Sequence, residues 1–407
     1  MAHKDRYIFG LDLGTTKTCA LACRRGDEGK LELAGLGVAE SRGWRKGVIV
    51  NLDSVVLAIQ KAVEAAEGQA KVSFEWAYVS VGGAHVKGVN SRGKVTLGSR
   101  SREVTVEDKV RAFQAAKSIP LPAGQELIDA LRQEYLLDAQ DGIRDPLGMT
   151  GKCLEVDVHL VTAATTAWQN IVTAVNRAGI KVPDSGTIFE GLASAWSCLT
   201  EDERELGVAL LDIGGGSSEL IVFHHGTVRY TAVIAVAGEH FTNDIAVGLR
   251  TPIPEAEKMK RIWGDREPAA SADAPLEVPS VGERPARVVS YATLSEIIQP
   301  RALELLELLH AELARSGFEK QLGAGVVLTG GGANLGGLIS LAEQVLGLPV
   351  RLGRPAGLTK MGDTLSDPAF ATVVGLVTYG NRLRLLRDAG DRSWAGRLWS
   401  VLRGKAS

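Results

Sequence analysis

Apolar residues fall into three runs that each end in a cluster of glycine, and the elements predicted for the chain hang on them. The first is Tyr7-Ile-Phe-Gly-Leu-Asp-Leu-Gly-Thr-Thr-Lys-Thr18. An apolar run enters, Gly14-Thr-Thr-Lys17 turns, and Cys19-Ala-Leu-Ala-Cys23 leads out, which predicts a buried β-hairpin. Helical spacing predicts a helix over Asp53 to Ala66, capped by Asp53 or Ser54. Trp76 to Gly83 reads as a short buried strand closed by a glycine turn. From about His85 to Thr162, glycines and charges become frequent. There, Thr105 to Ala116 is a predicted helix with Thr105 and Asp108 as a capping-box variant. Leu154 to Leu160 alternates apolar and polar, a strand with one wet face. This stretch is expected to be a small α+β insertion carried on the first domain.

The earlier pattern then resumes. Thr166 to Arg177 is helical and ends at Gly179, and Phe189 to Ser197 is a second helix of small residues, where two lobes can approach and hinge. The second apolar run, Val208-Ala-Leu-Leu-Asp-Ile-Gly-Gly-Gly-Ser-Ser-Glu-Leu-Ile-Val-Phe223, copies the first in form, with Asp212-Ile-Gly standing 200 positions after Asp12-Leu-Gly. An internal duplication implies two similar lobes; the alternative is two hairpins alike by coincidence. Trp263 to Arg287, rich in Pro, Ala and Glu, is an expected exposed loop. Thr293 to Arg315 is a long amphipathic helix. The third run, Ala324-Gly-Val-Val-Leu-Thr-Gly-Gly-Gly-Ala-Asn-Leu-Gly-Gly337, is a buried strand and glycine turn opening a helix over Leu338 to Leu346.

Composition narrows the class. The 407 residues are enough for two or more domains, and 45% hydrophobic with 23% charged residues is ordinary for globular protein. A formal net charge of −2 supplies no basic field to recruit nucleic acid. Cys19, Cys23, Cys153 and Cys198 lack zinc-type spacing and read as reduced cytosolic thiols. No signal peptide is expected at the charged N-terminus, and no apolar run approaches the ~20 residues of a membrane-spanning helix. His224-His225 has no third ligand in view and reads as a turn after a strand.

The hairpin turns carry the chemistry. Gly14-Thr-Thr-Lys17 offers backbone N–H groups, hydroxyls and an ammonium, which suits a polyphosphate, while Asp12 suits a hydrated Mg²⁺. An exposed Thr-rich turn is the plainer alternative. Two facing hairpins would clamp one polyphosphate between them. Gly330, Gly331 and Gly332 allow close backbone approach to a flat ligand such as adenosine, or simply make a tight strand-to-helix packing turn. Leu335 occupies the third position of a would-be G-x-G-x-x-G, so the dinucleotide fingerprint fails, and the P-loop pattern is absent. At the C-terminus, a helix places Trp394, Ala395, Leu398, Trp399, Val401 and Leu402 on one side, and Arg392, Arg397 and Arg403 on the other. That is an interfacial helix for an anionic membrane, or else a terminal helix docked on protein.

Asp12-Leu-Gly-Thr-Thr, Asp212-Ile-Gly-Gly-Gly and Leu328-Thr-Gly-Gly-Gly-Ala resemble, in that order, the phosphate-one, phosphate-two and adenosine motifs of the actin, sugar kinase and heat-shock chaperone superfamily. Ser41-Arg-Gly-Trp-Arg-Lys-Gly47, Gln133-Glu-Tyr135, Pro146-Leu-Gly-Met-Thr-Gly151, Leu192-Ala-Ser194, Leu199 to Gly207 and Val278-Pro-Ser-Val-Gly282 narrow the resemblance to the bacterial FtsA cell-division family, nearly end to end.

The resemblance implies an α/β, two-lobed actin-like fold with duplicated cores. The first lobe would take residues 1–84 and 163–195, and the insertion 85–162. The second lobe would take 196–228 and 303–387, with 229–302 bordering the nucleotide, 388–393 as linker and 394–405 as the membrane-targeting helix. It implies ATP with Mg²⁺ on Asp12 and Asp212. Gly14, Thr15, Thr16 and Lys17 would meet the outer phosphates from one side, and Gly214, Gly215, Gly216 and Ser217 from the other. Gly238, Glu239, Asn243 and Lys258 would border ribose and base, and Gly330, Gly331, Gly332, Ala333 and Asn334 the adenosine. Glu190 matches the glutamate that orients the attacking water in chaperone-type members, or is simply an acid in a helix's first turn where the dipole favours it, so ATP binding is expected with weak or absent hydrolysis. The implied partners are FtsZ, further copies of the chain, later division proteins, and lipid through Trp394, Arg397, Leu398, Trp399, Val401, Leu402 and Arg403, at the inner membrane face. A soluble small-molecule kinase or a pilus-assembly protein of the same fold is the alternative; neither needs the terminal amphipath.

Overall fold

The computed structural model describes residues 6–26, 29–45, 47–265, 274–282 and 284–391. The terminal amphipath at 394–405 lies outside the described residues.

Two sheets repeat one plan. The first runs Thr187–Phe189, Tyr78–Val81, Tyr7–Leu13, Lys17–Arg25, Leu31–Glu40, Leu358–Thr359. The second runs Val350–Leu352, Val326–Thr329, Val208–Ile213, Ser218–His224, Thr227–Ile234. In each, a central strand has a parallel neighbour on one side and an antiparallel hairpin partner on the other. The registers also correspond, with Asp12 opposite Cys19 and Asp212 opposite Glu219. A tie from the matching hydroxyl residue recurs as well: Thr18 Oγ1 lies 2.7 Å from Ser41 Oγ, and Ser218 Oγ donates to Val236 O at 2.7 Å, each partner lying just past the third strand of its sheet. Agreement in topology, register and hydrogen bonds is a duplication, not a chance likeness of turns.

Alternation along the second sheet splits its side chains between two cores. Ala209, Leu211 and Ile213 pack with Phe241, Leu305 and Leu309, whereas Val208 and Leu210 join the first-lobe core around Ile8, Leu21 and Ile59. The lobes therefore share buried surface through the helices Glu190–Cys198 and Ala371–Asp391, whose close crossing requires glycine: a Cβ on Gly375 would fall 1.8 Å from Ala193 O.

The insertion is a four-stranded antiparallel sheet, Gln140–Ile143, Gln125–Leu137, Cys153–Ala164, Lys87–Thr96, covered by the helix Val106–Lys117 with its own core. The Thr105/Asp108 capping box is present, and Arg102 pairs with Asp108. The insertion also docks on the edge strand Thr227–Ile234 of the second lobe. His159 Nδ1–H donates to Asn90 Oδ1 (2.7 Å), its Nε2 accepts from Thr231 Oγ1 (2.9 Å), Gln133 donates to Val228 O (2.8 Å), and Arg229 pairs with Glu134 (2.7 Å).

Several expectations change. The first long helix, Leu52–Ala70, is capped by Asn51, whose Oδ1 accepts from Ser54 N; Asp53 sits in the first turn, where the helix dipole favours an acid. Within Leu154 to Leu160 the wet face is confined to Glu155 and Asp157, because His159 is covered by the second lobe; beyond it, Val161 and Ala163 are buried in the first-lobe core. The stretch from Trp263 is not all loop. The helix Ile253–Asp265 runs past it, and Pro275–Val278 pairs with Arg287–Ser290, burying Leu276 and Val278. The helix Tyr291–Ser316 begins at a Ser290 cap and holds Pro300. Finally, the stretch from Leu358, expected in the second lobe, packs largely on the first, and keeps contact with the second through Asp367 and Thr372. Leu358–Thr359 pairs with Leu31–Glu32, Asn381 donates to Gly29 O, Arg384 donates to Tyr7 O, and Gly10 lies against Val373 and Val377.

Candidate functional site: a cleft between two equivalent turns

The two hairpin turns have the same backbone. A Cβ on Gly14 would meet Lys17 O at 2.9 Å, and one on Gly214 would meet Ser217 O at 2.9 Å, so both positions require glycine. They face each other in contact. A Cβ on Gly215 would fall 2.6 Å from Thr16 Cγ2, and one on Gly216 2.6 Å from Thr15 Oγ1. Between them lies a cavity of ≈ 50 Å³ lined by Gly14, Thr15, Gly214 to Ser217, Glu190 and Trp44.

Carboxylates converge beneath the turns. Asp12 accepts from Ser80 Oγ at 2.9 Å, and Ser80 Oγ in turn accepts from Leu13 N. Asp212 Oδ2 accepts from Ser194 Oγ and from Thr372 Oγ1 (3.1 Å). Glu190 begins its helix with its carboxylate against Gly82, where a Cβ would lie 2.1 Å from Oε2. Glu219 reaches across the lobes: Oε1 accepts from Gly83 N (3.1 Å) and from Ser217 Oγ (2.6 Å).

Burial is the main cause of every shift here, because low polarizability disfavours the charged form. It pushes Asp12 up to about 6, with Lys17 opposing, and Glu219 up to about 7, with Asp212 adding to the rise. Asp212 is raised by burial, and Glu190 is raised well above the ordinary range by burial, then by Glu219, Asp12 and Asp212. A pocket of under-compensated acids of this kind favours a cation. Among the described residues no group of three His, Cys, Asp or Glu is placed to hold a metal directly. Two converging aspartates fit an ion that keeps most of its waters.

The other expected residues are distributed unevenly. Lys17 donates to Ala369 O and lies 3.7 Å over the Phe370 ring. Gly238 N and Glu239 N donate to Gly214 O (2.9 Å) and Gly215 O (2.8 Å), seating a helix on the second turn. Gly330, at φ +81°, brings its backbone against Asp212: a Cβ would lie 2.2 Å from Oδ1. Gly332 and Ala333 are buried beside Ile213, Gly331 is exposed, and Asn334 donates to Asp367. Asn243 is exposed, and Lys258 turns outward to Glu255. Lys260, on the opposite face of that helix, turns toward the second hairpin turn instead, donating to Gly238 O (3.1 Å) and Thr242 Oγ1 (2.9 Å) and pairing with Glu257 (2.6 Å). Sequence reasoning missed Lys260, Glu219 and Ser80. Only Glu219 carried a signal, as a charge opening an otherwise apolar strand.

Comparison with known proteins agrees with this construction. The family model "Cell division protein FtsA" matches residues 209–375, and the model of the SHS2 domain inserted in FTSA matches 83–162. The cell division protein FtsA of Pseudomonas aeruginosa is 44% identical over 99% of this chain and 96% of its own length; that of Escherichia coli K12 is 38% identical over 99% of each. Among solved structures, a PilM–PilN type IV pilus biogenesis complex superposes with TM-score 0.65 at 19% identity, covering 92% of this chain and 98% of that one. MreB5 of Spiroplasma citri bound to ADP superposes with TM-score 0.54 at 13% identity, covering 95% and 99%. These structural likenesses establish the two-lobed actin-like fold.

Proposed function

The chain belongs to the FtsA family of cell division proteins, and from that membership we propose that it binds ATP with Mg²⁺ between its lobes, polymerises, and ties the FtsZ ring to the inner face of the cell membrane, where later division proteins join it. The observation that carries the nucleotide reading is the pair of equivalent glycine turns facing each other above Asp12 and Asp212. Backbone N–H groups of Gly14 to Lys17 and of Gly214 to Ser217 would take the phosphates, and the two aspartates would hold the hydrated ion, whose chemistry is to neutralise phosphate charge. Gly330 to Asn334 would lie against adenosine, with Gly238, Glu239 and Lys260 bordering it. Glu190, against Gly82, is the candidate to orient an attacking water. The ≈ 50 Å³ cavity lies at the outer-phosphate end of the cleft.

No helix among the described residues is long and apolar enough to cross a membrane. The membrane reading therefore rests on Trp394, Leu398, Trp399, Val401 and Leu402 opposite Arg397 and Arg403. A short helix binds weakly per copy, and polymerisation strengthens it by avidity. Co-sedimentation with anionic liposomes, with Mg²⁺-ATP, with and without residues 392–407, tests it. The full chain should pellet and the truncated chain should not; equal pelleting of both refutes the anchor.

A further inference from the structure

The segment Ser41 to Gly47 has no role in the reading above, yet it touches both jaws of the cleft. Trp44–Arg45 and Val48–Ile49 form a two-stranded ribbon. Its Gly47 (φ +73°) packs on Gly83 of the first lobe, whose Cα would be 2.8 Å from an added Cβ, and Gly47 N approaches Gly216 of the second turn. Val50 N and Asn51 N both donate to Gly43 O, fixing the ribbon's base. Trp44 is thereby held as part of the cavity wall, beside Thr15, Gly215 and Glu190.

Its indole Nε1–H is buried and has no acceptor among the described residues. A buried donor without a partner is costly, and an indole N–H can only donate. The neighbouring cavity is lined by both phosphate turns and Glu190, and by none of Gly330 to Asn334. An acceptor entering it stands at the outer-phosphate end of the cleft, away from the adenosine end. We propose that Trp44 is a ligand-binding residue that donates its indole N–H to the terminal phosphoryl group of a nucleoside triphosphate, so that the site distinguishes triphosphate from diphosphate. This rests on the nucleotide reading above. The acceptor is anionic, so the bond belongs to the stronger, charge-assisted class.

The test is calorimetric titration of the full chain with Mg²⁺-ATP and Mg²⁺-ADP, wild type against Trp44→Phe. Phenylalanine keeps an aromatic plug in the ribbon and removes only the donor. ATP affinity should fall roughly ten- to hundredfold, the worth of one hydrogen bond to a charged group, while ADP affinity stays within about twofold. Equal losses for both nucleotides, or none for either, overturn the assignment. A wild-type chain that binds neither nucleotide overturns the nucleotide reading itself, and this assignment with it. Should the variant fold poorly, ¹⁵N-indole spectra of the wild type answer the same question. The Trp44 signal should shift with ATP and not with ADP, and an identical signal in both refutes the proposal.

Discussion

Acid should loosen the joint between the insertion and the second lobe before it loosens either core, and His159 is the reason. The imidazole is 1% exposed, sandwiched between Asn90 of its own sheet and Thr231 of the second lobe, with Gly88 leaving the space for that approach. Burial alone lowers its pKa from 6.5 to about 4. The folded joint thus binds its proton less readily than the opened one. Between pH 6.5 and about 4 the open form carries the extra proton, so stability rises with pH across this window and is lost as pH falls through it. Above pH 6.5 the contribution is complete. The full shift corresponds to about 3 kcal/mol, and by pH 5 to about 2 kcal/mol, a ~30-fold rise in the open population. Hydrogen exchange of the amides in Cys153–Ala164 and Thr227–Ile234 reads that population directly and avoids assuming two-state unfolding of a multi-lobed chain. Because other groups titrate in the same range, the measured quantity is the difference between wild type and His159→Gln, which keeps a donor and an acceptor but cannot ionise. Protection in the wild type should fall relative to the variant by about 30-fold between pH 7 and 5. Parallel pH profiles for the two proteins would falsify the reasoning.

Two further substitutions probe the frame and the site. Gly375→Ala forces a methyl onto Ala193 O, 1.8 Å away at a backbone-to-backbone crossing that neither helix can relieve by changing a rotamer; a loss of at least the ~1–3 kcal/mol typical of overpacking is expected in thermal or urea unfolding, and a wild-type midpoint would show that the helices separate freely. Asp212→Asn keeps the bonds from Ser194 and Thr372 within reach but removes the charge that would face the ion, so nucleotide affinity should lose most of its dependence on Mg²⁺ while the thermal midpoint holds or rises; unchanged Mg²⁺ dependence would remove Asp212 from the ion site.

The duplicated frame was legible because its determinants are local. Asp-x-Gly, the glycine turn and the flanking apolar strands sit within a dozen residues, and their recurrence at Asp212 repeats the signal. What escaped depends on distant packing. Lys258 and Lys260 are indistinguishable on a string, and only the docking of their helix on Gly238 decides which one turns toward the second hairpin turn. His159 sits in a polar phase of an alternating strand, and it is the second lobe, some seventy residues away, that buries it. The strands Pro275–Val278 and Arg287–Ser290 were hidden by their brevity and by the polar, proline-rich residues between them, so no period could build up. Glu219 was readable in retrospect, since a carboxylate opening Leu220-Ile-Val-Phe223 needs a reason, and its bond to Gly83 N supplies one.

The return of the last helix to the first lobe also fixes where mechanical load enters the molecule. Ala371–Asp391 is tied to the strand Tyr7–Leu13 and to Gly29, and its first turn reaches the second sheet, where Thr372 donates to Asp212. Load carried along this helix therefore enters the first lobe along its length and meets the second lobe at its first turn, at the carboxylate beneath the Gly214 turn.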